Sequence, residues 1–248
     1  MSEPQQSPTP SSEPSRWLQH QCVVAGLVSS ASRFVPLPFV DDLVRMQCQR
    51  FVVSRALASR DRSEWARHFR PVYGGGGCLA GCIGSLIRAP LKLLLFPIRK
   101  VLVLVTSVRH VPLEIMRMVL LGRTLDRYLA EQAVPPSGDE VVRMRVAFEE
   151  SFARMDFHVL RAAMLDALSS VGGLKAAAIA SARRLATRSP VAAGELPSDE
   201  ALEAGATKVQ AVLQRSETLE LFAEFDRRYN ETLQRLTLEK EATGGPAS

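Results

Sequence analysis

The stretch GLVSSASRFVPLPFVDDLVRMQCQRFVVSRAL, residues 26–57, decides how the chain is read. Its first part is small and apolar without strand-like alternation, and it runs into Pro36-Leu37-Pro38. Proline lacks an amide proton and drives the residue before it out of the α region, so a helix cannot pass through this triplet. Beyond it, Asp41 and Asp42 stand in the first turn of a second helix, where carboxylates complement the exposed amides. Val40, Leu43, Val44, Phe51 and Val52 follow at helical spacing and define a face to be buried. The pattern predicts a helical hairpin over residues 16–60, with Pro36, Pro38 and Asp41 at its turn.

The same reading extends outward. No segment of useful length alternates with period two and no internal repeat occurs, so the chain reads as all-α: a multi-helix bundle in one domain, residues 16–240. The Pro/Ser-rich residues 1–15 and the closing residues 241–248 read as disordered tails. After the hairpin, 65–73 reads as a short connection and the glycines of 73–78 as a joint. Proline-segmented apolar helices then cover 79–130, broken at Pro90, Pro97 and Pro112. The C-terminal helices occupy 138–240. Ser137 and Glu140 have capping-box spacing at the start of a helix over about 139–170. That helix carries Val142, Val146, Phe152, Met155, Val159 and Met164 on its apolar side and stops at Gly172-Gly173. An alanine-rich helix runs from 174 to 188. Ser198 caps a long amphipathic helix over 199–240, whose Phe222, Phe225, Tyr229, Leu233 and Leu236 form one apolar stripe.

Charge is unevenly spread. Of the 31 Lys and Arg in 248 residues, 17 lie in residues 1–130 against 8 acids, giving +9; residues 131–248 carry −4. Between 65 and 125, nine basic residues face one acid, Glu114. A basic, apolar and aromatic-poor middle points to anionic lipid headgroups before nucleic acid, and no nucleic-acid partner is expected. The excess of Arg over Lys fits phosphate-type recognition and fits a GC-rich genome equally well.

No catalytic constellation stands out, and no cofactor is implied. The four histidines, His20, His68, His110 and His158, lack a His or Cys partner at helical spacing, so nothing points to a metal. Cys78 and Cys82 are four apart, neither a C-x-x-C redox pair nor half of a zinc site with a second pair. They read as small packing residues, with acylation beside a membrane as the alternative. With no secretory leader in view, the four cysteines are expected to be free thiols inside a cell. The glycines of GGGGCLAGCIGS do not end in the G-K-[ST] of a phosphate loop. Gly77, Gly81, Ser85 and Ala89 instead make a ridge of small residues that lets another helix approach closely. The adjacent acids Asp41-Asp42 and Glu149-Glu150 point about 100° apart on a helix, a poor shared acid/base geometry. The chain is therefore expected not to be an enzyme.

The basic-apolar run offers three environments. On an unbroken helix Arg88, Lys92, Arg99, His110 and Arg117 share a narrow stripe on an otherwise apolar body, the pattern of an in-plane interfacial helix. A soluble buried core over 91–121 is the second option. A spanning or re-entrant hairpin is the third, although Lys92, Arg99 and Lys100 divide any stretch of about 20 residues.

The small-residue helix, the P-x-P turn at Pro36 and Pro38, the acid at Asp41 or Asp42 and the downstream Gln47 resemble EcsC-type proteins and the YcjF-type C-terminal domain of some membrane-associated GTPases. Where that pattern has Tyr-Gly after the second helix, this chain has Ala58-Ser59-Arg60. The resemblance covers about thirty residues and implies a bacterial, helical, membrane-associated protein without defined chemistry. The combined expectation is a cytoplasmic protein peripheral to the inner membrane. In it Arg88, Lys92, Arg99, Lys100 and Arg109 contact anionic headgroups, and the 222–236 stripe docks on the body or on a protein partner. The alternative is a soluble cytoplasmic binding or scaffold protein.

Overall fold

A computed structural model describes residues 15–35, 40–73, 110–187, 196–197 and 199–243. Among them are nine α-helices and no strand, an all-α multi-helix bundle. The first helix, α1 (Arg16–Ala31), opens where the Ser15 hydroxyl accepts from the Leu18 amide at 3.2 Å. From Cys22 to Ala31 it is buried all round, as befits a central helix with no polar face to solvate. Its buried serines are satisfied: Ser30 donates to the Leu27 carbonyl at 2.7 Å and Ser29 to the Glu114 carboxylate at 3.4 Å, while Ser32, just past its end, donates to the Ser29 carbonyl at 2.7 Å. A 3₁₀ turn, Ser32–Phe34, ends it.

Helix α2 (Val40–Ala58) returns along α1 with Val44, Cys48, Phe51 and Val52 inward, and Leu43 half-exposed at the edge of that face. The hairpin of the sequence reading is thus present in its two arms, while Pro36 and Pro38 lie outside the described residues. Residues 65–73 do more than connect. A 3₁₀ turn, Ser63–Arg67, the link after it and the short α3 (Arg70–Tyr73) cover the side of the bundle, with Trp65 of the turn and Phe69 of the link buried.

Helix α4 (Val111–Glu131) crosses α1 and completes the core, with Pro112 in the first turn where a missing amide proton costs nothing. The crossing is very close. A Cβ on Gly26 would lie 2.5 Å from the Cα of Ile115, and one on Gly122 would lie 2.4 Å from the sulfur of Cys22. Ile115, Met116, Met118 and Leu120 are fully enclosed around it.

The expected helix over 139–170 is two helices, α5 (Gly138–Ala153) and α6 (His158–Ser169). The Asp156 carboxylate accepts from the His158 amide at 2.9 Å and restarts the chain. Phe157 folds into the gap against Phe152 with ring centroids 4.9 Å apart. The inward face of α5 also differs from the expected one. Val141, Met144, Phe148 and Phe152 are buried, whereas Val142 and Val146 face solvent, and Val159 on α6 is 74% exposed. The large rings of Phe148 and Phe152 set the register, and Val142 and Val146, off that face, point outward.

Gly173, at φ 75°, turns the chain into α7 (Leu174–Thr187), as the glycine pair predicts. The long helix over 199–240 is also divided, into α8 (Glu200–Leu213) and α9 (Ser216–Thr243). At the break the buried Thr218 hydroxyl donates to the Val212 carbonyl at 2.9 Å. The N-cap of α8 is Asp199, whose carboxylate accepts from the Ala201 amide at 3.0 Å; Ser198 lies outside the described residues. The stripe on α9 folds onto the body. Phe222, Phe225 and Tyr229 are buried, Phe225 edge-on to Phe148 at 5.5 Å, and Leu233 and Leu236 are half-covered.

Candidate functional site

Most residues singled out in the sequence lie outside the described residues. These are Arg88, Lys92, Arg99, Lys100 and Arg109 of the cationic run, the ridge Gly77, Gly81, Ser85 and Ala89, and the pair Cys78 and Cys82. The joint 73–78 is described only at Tyr73, whose hydroxyl donates to the Ala66 carbonyl at 3.2 Å. Asp41 is described, in the first turn of α2. Desolvation pushes its carboxyl up from the usual range, while Arg33 and the Ser32 hydroxyl pull the other way.

The last two members of the expected cationic stripe, His110 and Arg117, are the ones described, and they part company. Arg117 is engaged within the bundle's surface, half-covered rather than free. It donates to both oxygens of Glu149 at 2.6 Å and lies over the Phe152 ring at 4.6 Å. His110, the residue before α4, is exposed; desolvation and the cations Arg33 and Arg161 hold its pKa below the usual histidine value.

That end of the bundle is organised around the lone acid of 65–125. Glu114 is buried, and its carboxylate accepts from Arg45 at 2.8 Å, with Arg33 at 3.7 Å and the Ser29 hydroxyl at 3.4 Å. Three elements that meet there supply these partners: α1, its 3₁₀ turn and α2. Lys175 of α7 adds a further cation 4.7 Å over the Phe34 ring of the same turn.

The remaining buried charges tie helices together. Asp126 of α4 is 2% exposed and takes a two-pronged contact from Arg60, at 2.7 and 2.8 Å. Asp226 of α9 takes Arg123 at 2.9 Å and Arg127 at 2.7 Å, so one carboxylate faces two guanidiniums. His20 joins α1 to α8 through Glu203 at 2.5 Å and Gln210 at 3.0 Å. None of these arrangements presents a nucleophile. Cys22 and Cys48 are free and fully buried, and burial, reinforced by Asp126 and Glu114 respectively, pushes both thiols up. They are protonated packing groups, neither nucleophiles nor metal ligands. Among the described residues no group of three or more His, Cys, Asp or Glu could hold a metal ion.

A cleft of about 320 Å³ opens at another place, between the start of α1, the middle of α4 and the α8–α9 corner. Buried Leu18, Cys22, Val119, Leu213 and Phe222 line its floor. Arg16, Gln19, Arg123 and Gln214 stand around it. Sequence reasoning missed it because its walls come from positions some two hundred residues apart, brought together only by the packing of α1 on α8. The Glu114 cluster had one legible signal, a single acid inside a basic region.

Compared with family models, curated proteins and solved structures, the chain matches none.

Proposed function

We propose that this is a non-catalytic helical protein that associates peripherally with an anionic membrane surface through its basic-apolar middle. The observation that carries the reading is residues 83–109, which hold Arg88, Lys92, Arg99, Lys100 and Arg109 and no acid. In this reading those five cations meet headgroup phosphates, while 93–96 and 101–105 enter the interface.

The body supports the reading at the end from which α4 departs. There Arg33, Arg161 and Lys175 accompany His110; of the acids nearby, Glu114 is buried and already bound by arginine, and Asp41 lies beside Arg33 in the first turn of α2. Exposed Val159 stands two residues from Arg161. Among the described residues no single helix is long and apolar enough to cross a membrane. The α6–α7 pair passes that test only jointly, across a bend of 99°. Shallow contact suits such a shape better than a span.

A second reading, a soluble binding or scaffold protein with 91–121 as core, draws support from α4. Its residues Ile115, Met116, Met118 and Leu120 are wrapped by other helices. Vesicle flotation separates the two. The full chain is expected to rise with vesicles containing phosphatidylglycerol at low salt and to stay below with neutral phosphatidylcholine vesicles. Binding should weaken steeply near 1 M salt, where the screening length falls to about 3 Å. A chain that remains at the bottom with anionic vesicles at low salt overturns the membrane reading and leaves the second. Flotation that survives both salt and carbonate replaces surface association with insertion.

A further inference from the structure

The cleft between α1, α4 and the α8–α9 corner combines features of a small-molecule site: an apolar floor, a rim of four polar side chains and, among the described residues, one charge without a partner. Arg16 makes no side-chain hydrogen bond or ion pair among the described residues, and it is exposed at the rim. Gln19 and Gln214 stand beside it as amide donors. Arg123 is a wall rather than a free charge. Its Nε and Nη2 both point to Asp226, at 3.2 and 2.9 Å, and its guanidinium lies over the Phe222 ring at 5.4 Å. Because Arg127 shares the same carboxylate, that corner still keeps one surplus positive charge.

Leu219 is left 43% exposed on the lip, an apolar side chain turned toward the opening. A volume of about 320 Å³ is roughly twice a 150 Å³ cavity that accepts benzene, which sets the occupant near a dozen non-hydrogen atoms. The guanidiniums of the Asp226 corner stay engaged with that carboxylate, so direct ion pairing at the cleft falls to Arg16, one guanidinium for one negative charge. A carboxylate answers its planar fork, whereas a phosphate monoester brings about two charges.

We propose that this cleft binds a small amphipathic monocarboxylate of medium-chain acyl type, with its carboxylate on Arg16 and its chain against Leu219 and Phe222. The site is distinct from the basic-apolar segment and needs no membrane, so it is tested without vesicles. Calorimetric titration of the full chain with decanoate, kept below its micelle concentration, is expected to give saturable one-to-one binding. Decanol, with the same chain and no charge, should bind at least about tenfold more weakly. Arg16→Gln should weaken decanoate about tenfold to a hundredfold, the range for a lost hydrogen bond to a charged group. Leu219→Asp should weaken it at least as much through lost apolar contact and like-charge repulsion. Both positions are exposed, so thermal melts of the two variants should overlay the parent and show that the loss is local. Absence of saturable decanoate binding to the parent chain overturns the proposal, and so does unchanged affinity in Arg16→Gln.

Discussion

Two glycines and a cysteine set the distance between α1 and α4. At Gly26 an added methyl would strike the backbone of Ile115, which cannot swing aside, so Gly26→Ala should cost about 3 kcal/mol, the upper end of overpacking penalties. At Gly122 the obstacle is the Cys22 sulfur, a removable atom. Gly122→Ala is expected to lose about 2 kcal/mol, with much of it recovered in the Cys22→Ala/Gly122→Ala double variant. Urea melts of the parent, the Cys22→Ala and Gly122→Ala single variants and their double test this, and a double variant no better than the sum of its parts would sink the account. The sequence reading did look for small residues at a close helix crossing, and placed them at Gly77, Gly81, Ser85 and Ala89. Those four lie outside the described residues; the crossing that is described uses Gly26 and Gly122, which sit on separate helices with no spacing to link them. Spacing along one helix is visible in a sequence; the matching of two helices is not.

Elements were legible where local chemistry alone decides them. The arms of the hairpin, the start at Ser137 and the stop at Gly172-Gly173 each follow from one or two residues with fixed backbone or capping preferences. The box at Ser137 is only half formed. The Glu140 amide donates to the Ser137 hydroxyl at 3.2 Å, but the Glu140 carboxylate accepts from the Tyr128 hydroxyl at 2.8 Å. Breaks at 154–157 and 214–215 escaped notice because neither holds a proline or glycine. They arise from side chains, Asp156 and Thr218, that compete for backbone groups. Helix α9 also carries a test of its own surface chemistry. Arg227 and Arg228 hold the Glu224 carboxylate down at about 2, from 4.5. A depressed carboxylate stabilises the fold above its unfolded pKa, and that contribution fades as pH falls through the window from 4.5 to about 2. Thermal melts of Glu224→Gln should therefore lose part of the parent's pH dependence in that window and match its slope above it. Identical acid profiles for the two proteins would remove Glu224 from the account.

At the scale of the whole molecule, the charge asymmetry of the sequence becomes a fastening. Arginines of the basic half reach acids of the acidic half, Arg117 to Glu149 and Arg123 with Arg127 to Asp226. Helix α9 thus closes over Phe148 with its aromatic stripe. A chain ended after Arg215 should bind a hydrophobic dye such as anilinonaphthalenesulfonate and melt without a sharp transition. A dye-silent, cooperatively melting truncation would show that α9 is an accessory. The α1–α4 crossing has a further consequence, in time rather than space. Cys22 and Gly26 meet partners at Gly122 and Ile115, about ninety to a hundred residues later in the chain. At synthesis rates of about 5–20 residues per second, the first helix leaves the ribosome roughly 5–20 s before its partner exists. For that interval α1 has α2 beside it but not the helix that covers its other face, and the nascent hairpin is at that moment a natural client for a chaperone.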